Sequence, residues 1–198
     1  MPRQKQRTSV LRDRVLSAAV AVLTTDGVAG LTARRVAHDA QTSTPAVYEL
    51  FGDKGGLVRA IFFEGFRMLR GHLEQTVRAD DERTALQQTI AALRTFMQDR
   101  PALAQVMFER PFADFDPRPE DIEAGTSVRE FIIDRVRRGV DAGIIVGDPT
   151  DIAHVLIGLT LGLAAQEAAG WLGTSRASVD RRWSLGAEAL LNGLGSTS

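Results

Sequence analysis

Between Thr42 and Leu57 the chain reads TSTPAVYELFGDKGGL, and the residue types crowded there can hydrogen-bond but offer no covalent chemistry. A helix starting at Ser43 would present, in Ser43-Thr44-Pro45-Ala46, free backbone N–H groups and the positive end of the helix dipole. Those are the groups that phosphates and base edges pair with. Tyr48 would face outward, while Val47 and Phe51, four apart, would face inward. Lys54 would add its charge at the start of the next helix.

Other chemistries find less support. His38, His72 and His154 are far apart, and none has a histidine four residues away, so no metal site is expected. The chain has no cysteine, which rules out a disulfide framework and thiolate ligands. The acidic groups Asp80-Asp81-Glu82, Asp114/Asp116 and Glu120-Asp121-Glu123 fall at expected helix ends or in loops, where solvation or capping accounts for them. The GDKGG stretch lacks the spacing and the Lys-Ser/Thr ending of a phosphate loop, and no serine is framed by the glycines of a nucleophile elbow. The reading is a protein that is not an enzyme and carries no cofactor.

The elements that must position these residues are helical throughout. Leu11, Val15, Ala18, Ala19, Val22 and Leu23 repeat at helical spacing, with Thr8 and Ser9 as candidate caps and Asp26-Gly27 as the stop. Thr32 caps a short second helix with an inner face of Val36, Ala37 and Ala40. Gln41-Thr42 makes a turn, and Ser43 caps a third helix with Pro45 in its first turn. A long fourth helix carries Val58, Phe62, Phe66, Leu69, Leu73 and Val77, and a fifth carries Leu86, Ile90, Leu93 and Met97. A short helix PALAQVMF precedes the proline-broken segment ERPFADFDPRPED. Helical periodicity resumes over 122–142, 152–172 and 176–194. The predicted fold class is all-α, with about nine helices, divided into a domain over 1–56 and a larger helical domain over 57–198.

Three helices within about fifty residues, the second and third short and joined by a tight turn, have the geometry of a helix-turn-helix, whose third helix enters the major groove. Charge points the same way. Residues 1–60 carry nine Lys/Arg against five acids, whereas the other 138 carry fifteen against twenty, although the whole chain is only −1. A basic end on an acidic body suits a polyanion met by the first third alone. The arm Arg3, Lys5, Arg7 could add phosphate contacts.

Over residues 32–57 the sequence resembles the DNA-binding domain of the TetR family of transcriptional regulators. Thr32, Val36, Ala37, Ala40, Ser43, Val47, Tyr48, Phe51, Lys54 and Leu57 stand in the register of that family's pattern. The resemblance implies that Thr32, Ser43, Tyr48 and Lys54 contact phosphates and that Thr44, Pro45 and Ala46 lie nearest the bases. Arg34 and Thr42 complete the expected DNA-binding set. Three positions depart from the pattern. Gln41 stands where glycine is usual and would cost about 1 kcal/mol in a left-handed conformation. Leu50 replaces a common aromatic or histidine. Glu49 would repel phosphate unless it accepts from a cytosine amino group.

The resemblance also implies a C-terminal domain that binds a small effector and dimerises, so that the effector changes the spacing of two reading heads. Candidate pocket residues are Phe96, Met97, Met107, Phe108, Phe112, Phe115, Phe131, His154 and Trp171, with FERPFADFDP as a possible lid. Few charges among them suggest an apolar or aromatic effector. For a dimer, the last two helices would pair with their copies as a four-helix bundle, Gly158 and Gly162 allowing close approach and Leu159, Leu163, Leu190, Leu191 and Leu194 filling the seam. The expected partners are an operator duplex, a small-molecule effector and a second copy of the chain, with no membrane. The expected location is cytoplasmic, since Arg12, Asp13 and Arg14 interrupt any signal-peptide core. The alternative is an all-helical small-molecule-binding or adaptor protein that has lost DNA readout.

Overall fold

The computed structural model describes residues 2–109 and 125–195, with the side chains of residues 2–7 outside the description. Among the described residues there are nine α-helices and no strand. They are α1 (Pro2–Gly30), α2 (Ala33–Asp39), α3 (Thr44–Phe51), α4 (Lys54–Thr76), α5 (Glu82–Asp99), α6 (Pro101–Phe108), α7 (Thr126–Asp141), α8 (Pro149–Ala168) and α9 (Arg176–Gly193). The fold is all-α, as expected. Two compact units divide the described residues, one made of 2–68 with 100–109 and 125, the other of 69–99 with 126–195.

In the first unit, Val15, Ala19, Val22 and Leu23 form the fully buried stripe of α1. The helix already begins at Pro2, so Thr8 and Ser9 lie inside it rather than capping it. Its regular course breaks at Gly27, whose φ of 67° is outside the helical region, at the expected Asp26-Gly27 stop. Val36 and Ala37 of α2, Ala40 just after it, and Val47 and Phe51 of α3 are buried in this unit. The apolar run Leu57, Val58, Ile61, Phe62 and Phe66 at the start of α4 is buried as well. Phe66 meets Phe62 and, on α6, Phe108 edge-on, with ring centroids 5.0 and 5.8 Å apart. Such pairs add about 0.5–1.5 kcal/mol beyond area burial.

The second unit is built from the rest of α4 with α5, α7, α8 and α9. Leu69, Leu73 and Val77 continue the buried stripe of α4, and Phe96, Leu86, Ile132, Val136, Ile145 and Leu156 are sealed from solvent. Its helix starts are capped by short polar side chains. Asp81 Oδ1 accepts from the Thr84 N–H at 2.8 Å, and Asp148 accepts from Thr150 and Asp151. At α9, Ser175 and Ser178 form a reciprocal capping box.

Candidate nucleic-acid interface

The hydroxyl of Thr32 accepts from the Arg35 N–H at 3.2 Å, and that of Ser43 accepts from Ala46 at the same distance. Each satisfies one orphan donor at a helix start. The other first-turn donors have no partner inside the helix and remain for an outside acceptor. Between the two helices the chain reverses through Gln41, the one non-glycine residue with positive φ (50°) among the described residues. The Gln41 N–H donates to His38 O at 3.0 Å, and the Thr42 N–H to Ala37 O at 2.9 Å. The departure from glycine at this position therefore carries the strain its backbone implies. Gln41→Gly is expected to raise unfolding free energy by about 1 kcal/mol, read as a melting temperature about 2–4 °C higher.

Helix α3 ends where Gly52, at φ 82°, donates its N–H to Tyr48 O at 2.7 Å. Asp53 then caps α4 by accepting from the Gly56 N–H at 2.7 Å, which sets Lys54 at the first position of α4. Gly56 carries a requirement that the sequence pattern did not signal. An added Cβ would lie 1.8 Å from the carbonyl oxygen of Phe51, so α3 approaches α4 more closely than any side chain permits. The expected DNA-binding residues thus occupy the N-terminal ends and outer faces of α2, α3 and α4 within one unit. Thr32, Arg34, Ser43, Pro45, Tyr48 and Lys54 are exposed, and Thr42, Thr44 and Ala46 are half-buried. The Arg12 guanidinium lies over the Phe51 ring at 5.1 Å, tying the exposed surface of α1 to the base of α3.

The charges on α2 divide into two kinds. Arg35 is held by Asp39 at 3.0 Å and Asp26 at 3.5 Å, and this pairing raises the pKa of its guanidinium. The Asp39 carboxyl is held below its ordinary range, first by the hydrogen bond with His38 and then by Arg35. Arg34 has no ion pair with a described residue and faces solvent. Thr32, Arg34, Arg35 and His38 line a shallow depression of about 320 Å³. Arg35 is thus tied into the packing of the unit, while Arg34 is exposed with no ion pair to a described residue.

Residues 15–61 match the family model for bacterial regulatory proteins of the tetR family, and residues 86–190 match that for the tetracyclin repressor-like C-terminal domain. This chain belongs to the TetR family. It has the fold of a TetR-family transcription regulator, with the helix-turn-helix formed by α2 and α3. A Rhodococcus sp. RHA1 protein of unknown function is 28% identical, with a TM-score of 0.80 over 94% of this chain and 96% of that one. A TetR-family transcription regulator from Marinobacter aquaeolei shares the fold at 19% identity, with a TM-score of 0.68 over 93% of this chain and 97% of that one. So does a TetR variant from Acinetobacter baumannii in complex with minocycline, at 19% identity and a TM-score of 0.63, over 92% of this chain and 97% of that one. No curated protein matches the chain.

The candidate effector residues of this TetR-family chain are distributed unevenly. Met107 is buried and Phe108 half-buried in the first unit. Phe96 and Phe131 are buried and Met97 half-buried in the second. Phe112 and Phe115 lie outside the described residues, as does the rest of 110–124. His154 is exposed, its Nδ1 2.8 Å from Thr150 O, and Trp171 is 83% exposed on the turn after α8. His72 and Arg135 stand outside the expected effector set but beside two of its members. His72 lies against Phe96 with ring centroids 6.0 Å apart, and Arg135 against Phe131 at 5.2 Å. His72 Nε2 and Arg135 Nε are both buried without a hydrogen-bond partner. Only spatial neighbours distinguish them from surface polar residues, so no local sequence signal could have found them.

The candidate dimer residues fall on α8 and α9. Gly158 and Gly162 are exposed, and an added Cβ at either would meet no atom within 4 Å. Leu159, Leu163, Leu190 and Leu194 are half-buried, and Leu191 is buried within the chain. Leu159 and Leu163 pack on Gly186 of α9, where a Cβ would come within 3.0 Å of Leu163 Cδ1. Val155 and Leu185 stand 55% and 66% exposed. No described helix is long and apolar enough to cross a membrane. No group of three or more metal-binding side chains comes together among the described residues.

Proposed function

We propose that the protein is a homodimeric, effector-responsive repressor that places the first turn of α3 in the major groove at each half of a pseudo-palindromic operator. The carrying observation is the exposed outer face of α3, with its capped N-terminus, Tyr48 beside it and Lys54 at the next helix start. The reading surface consists of Thr32, Arg34, Thr42, Ser43, Thr44, Pro45, Ala46, Tyr48 and Lys54, the hydroxyls and cations positioning the head on phosphates and the small residues lying near base edges. By task the chain divides at 56/57, reading head before and effector and dimer functions after. A mobility-shift titration against the DNA upstream of its own gene tests the reading. Saturable, salt-sensitive binding is the expected result, and Lys54→Ala should weaken it uniformly across sequences and lower the salt slope by about one unit. Tyr48→Phe, which removes a single hydroxyl, should cost roughly 1 kcal/mol of binding. Binding unaffected by either change would overturn this surface as the reading surface.

Dimerisation is supported by the outward face of α8, where Gly158 and Gly162 leave a smooth surface flanked by apolar Val155. A flat small-residue face lets two helices approach closely and then bury their flanking leucines. Gly158→Glu has room in the monomer, so its melting temperature should stay near wild type. In sedimentation the same variant should shift from dimer to monomer. A dimer that persists would place the interface elsewhere.

Effector binding by the second domain is supported by Phe96 and Phe131 together with the unpartnered nitrogens of His72 and Arg135. These favour an aromatic or apolar effector that carries one hydrogen-bonding group. Operator heads one turn apart sit about 34–36 Å from each other, and an effector that alters this spacing releases the DNA.

A further inference from the structure

The second turn of α3 carries a carboxylate, Glu49, on its exposed outward face. Around a helix of about 3.6 residues per turn, successive side chains turn by about 100°. Val47 and Phe51 are buried, which fixes the inward direction. Glu49 and Pro45, four residues apart, then share the opposite direction, and both are exposed. Tyr48 lies to one side of that ridge and half-buried Ala46 to the other. Glu49 is therefore on the midline of the outward face rather than at its rim. No hydrogen bond or ion pair joins it to any described residue, although the same head pairs Asp26 and Asp39 with Arg35.

A free carboxylate on the midline of a helix that enters DNA faces a severe choice. Against phosphate it is repelled, and the loss falls on every sequence alike. Over base edges it can only accept, because an ionised carboxylate has no donor. The major groove offers two amino donors, cytosine N4 and adenine N6. At adenine the neighbouring N7 is an acceptor and would oppose the second carboxylate oxygen, whereas the edge of cytosine carries no acceptor beside N4.

Resting on the operator reading above, we propose that Glu49 is a specificity-determining residue that accepts from the N4 amino group of one cytosine in each half-site. The carboxylate is then a discriminating group: it is rewarded at one base pair and penalised at the others. This also accounts for an acidic residue at the centre of a face that must approach a polyanion.

The test uses duplexes randomised over about 30 base pairs, long enough for two half-sites one helical turn apart. Full-length wild type, Glu49→Gln and Glu49→Ala each select from this pool, and the bound duplexes are sequenced. Wild type is expected to recover a two-fold motif with an invariant C·G pair in each half-site. With Glu49→Gln that pair should change to A·T, since a glutamine amide pairs with adenine N6 and N7, while the other positions hold. With Glu49→Ala the pair should become degenerate. Binding of Glu49→Gln to the wild-type motif should be at least tenfold weaker than to the A·T version. If all three proteins recover the same bases at every position, and the variants only bind all duplexes more tightly, the proposal is overturned and Glu49 is a repulsive charge alone. A wild type that selects no motif overturns the operator reading itself, a result distinct from the first.

Discussion

Replacing Arg94 by alanine is expected to remove about 2 kcal/mol of stability, less than the ~3–5 kcal/mol of a fully buried pair because the carboxylates left behind are partly open to solvent. Arg94 projects from α5 with its side chain 15% exposed and holds two elements at once. Its Nε and one Nη grip both oxygens of Glu167 on α8, at 3.0 and 2.8 Å. Its other Nη lies 2.8 Å from Asp180 Oδ1 on α9. The guanidinium plane also lies over the Trp183 ring at 5.0 Å. Glu167 in turn accepts from Gln98 Nε2 at 2.8 Å and Trp183 Nε1 at 2.6 Å, so its acceptor capacity is filled. Removing the arginine leaves a carboxylate still facing two neutral donors but no positive charge, and it empties the contact that joins α5, α8 and α9. Urea unfolding followed by circular dichroism should report the loss. Arg94→Lys should recover only part of it, because an ammonium cannot bridge both carboxylates in a plane and stack on indole. A loss under 1 kcal/mol would mean that the three helices are held by apolar packing alone.

The same network sets a pH dependence whose sign is fixed by the direction of one shift. The hydrogen bonds and charge of Arg94 hold the Glu167 carboxyl below its ordinary value of 4.5. A depressed native pKa means that the unfolded chain binds the proton more readily. The network therefore contributes its stability above pH 4.5 and loses it as the pH falls through the lower native value. Arg94 stays protonated throughout and adds no slope of its own. Wild type should thus lose stability below pH 4.5 more steeply than Glu167→Gln, whose unfolding midpoint should be lower at neutral pH and flatter in acid.

What was legible in the chain was local. The caps Thr32 and Ser43, the proline in the first turn of α3 and the stripe from Val58 to Val77 are visible because each depends on residues within four or five positions. Gln41 was legible through the family resemblance, which places a usual glycine at its position and so implied the positive φ found there. The start of α1 was misread because Thr8 and Ser9 look like caps in isolation, whereas the helix runs through them from Pro2. The Arg94 network had no local signature. Its carboxylates lie 73 and 86 positions along the chain, where only the packing of α5 against α8 and α9 brings them near. His72 and Arg135 were missed for the same reason, their lack of hydrogen-bonding partners being a property of the packed core.

Gly56→Ala should be among the most damaging single-methyl changes in the first unit. The Cβ it adds would sit 1.8 Å from Phe51 O and 3.0 Å from Phe51 C, both backbone atoms that cannot rotate away. Relief requires moving the end of α3 against the start of α4. That movement strains the cap in which Asp53 accepts from the Gly56 N–H and disturbs Phe51, which is 9% exposed at the base of α3. The expected cost is about 3 kcal/mol, at the upper end for overpacking because backbone rather than a side chain must yield. Gly71→Ala supplies the contrast on the same helix, since its Cβ would meet nothing within 4 Å. There the better helix propensity of alanine should add about 1 kcal/mol. If both substitutions instead move the melting temperature in the same direction, helix propensity governs α4 and the close approach at Phe51 is not a constraint. If they diverge as expected, the glycine after GDKG is a steric requirement of the joint that sets Lys54 beside α3.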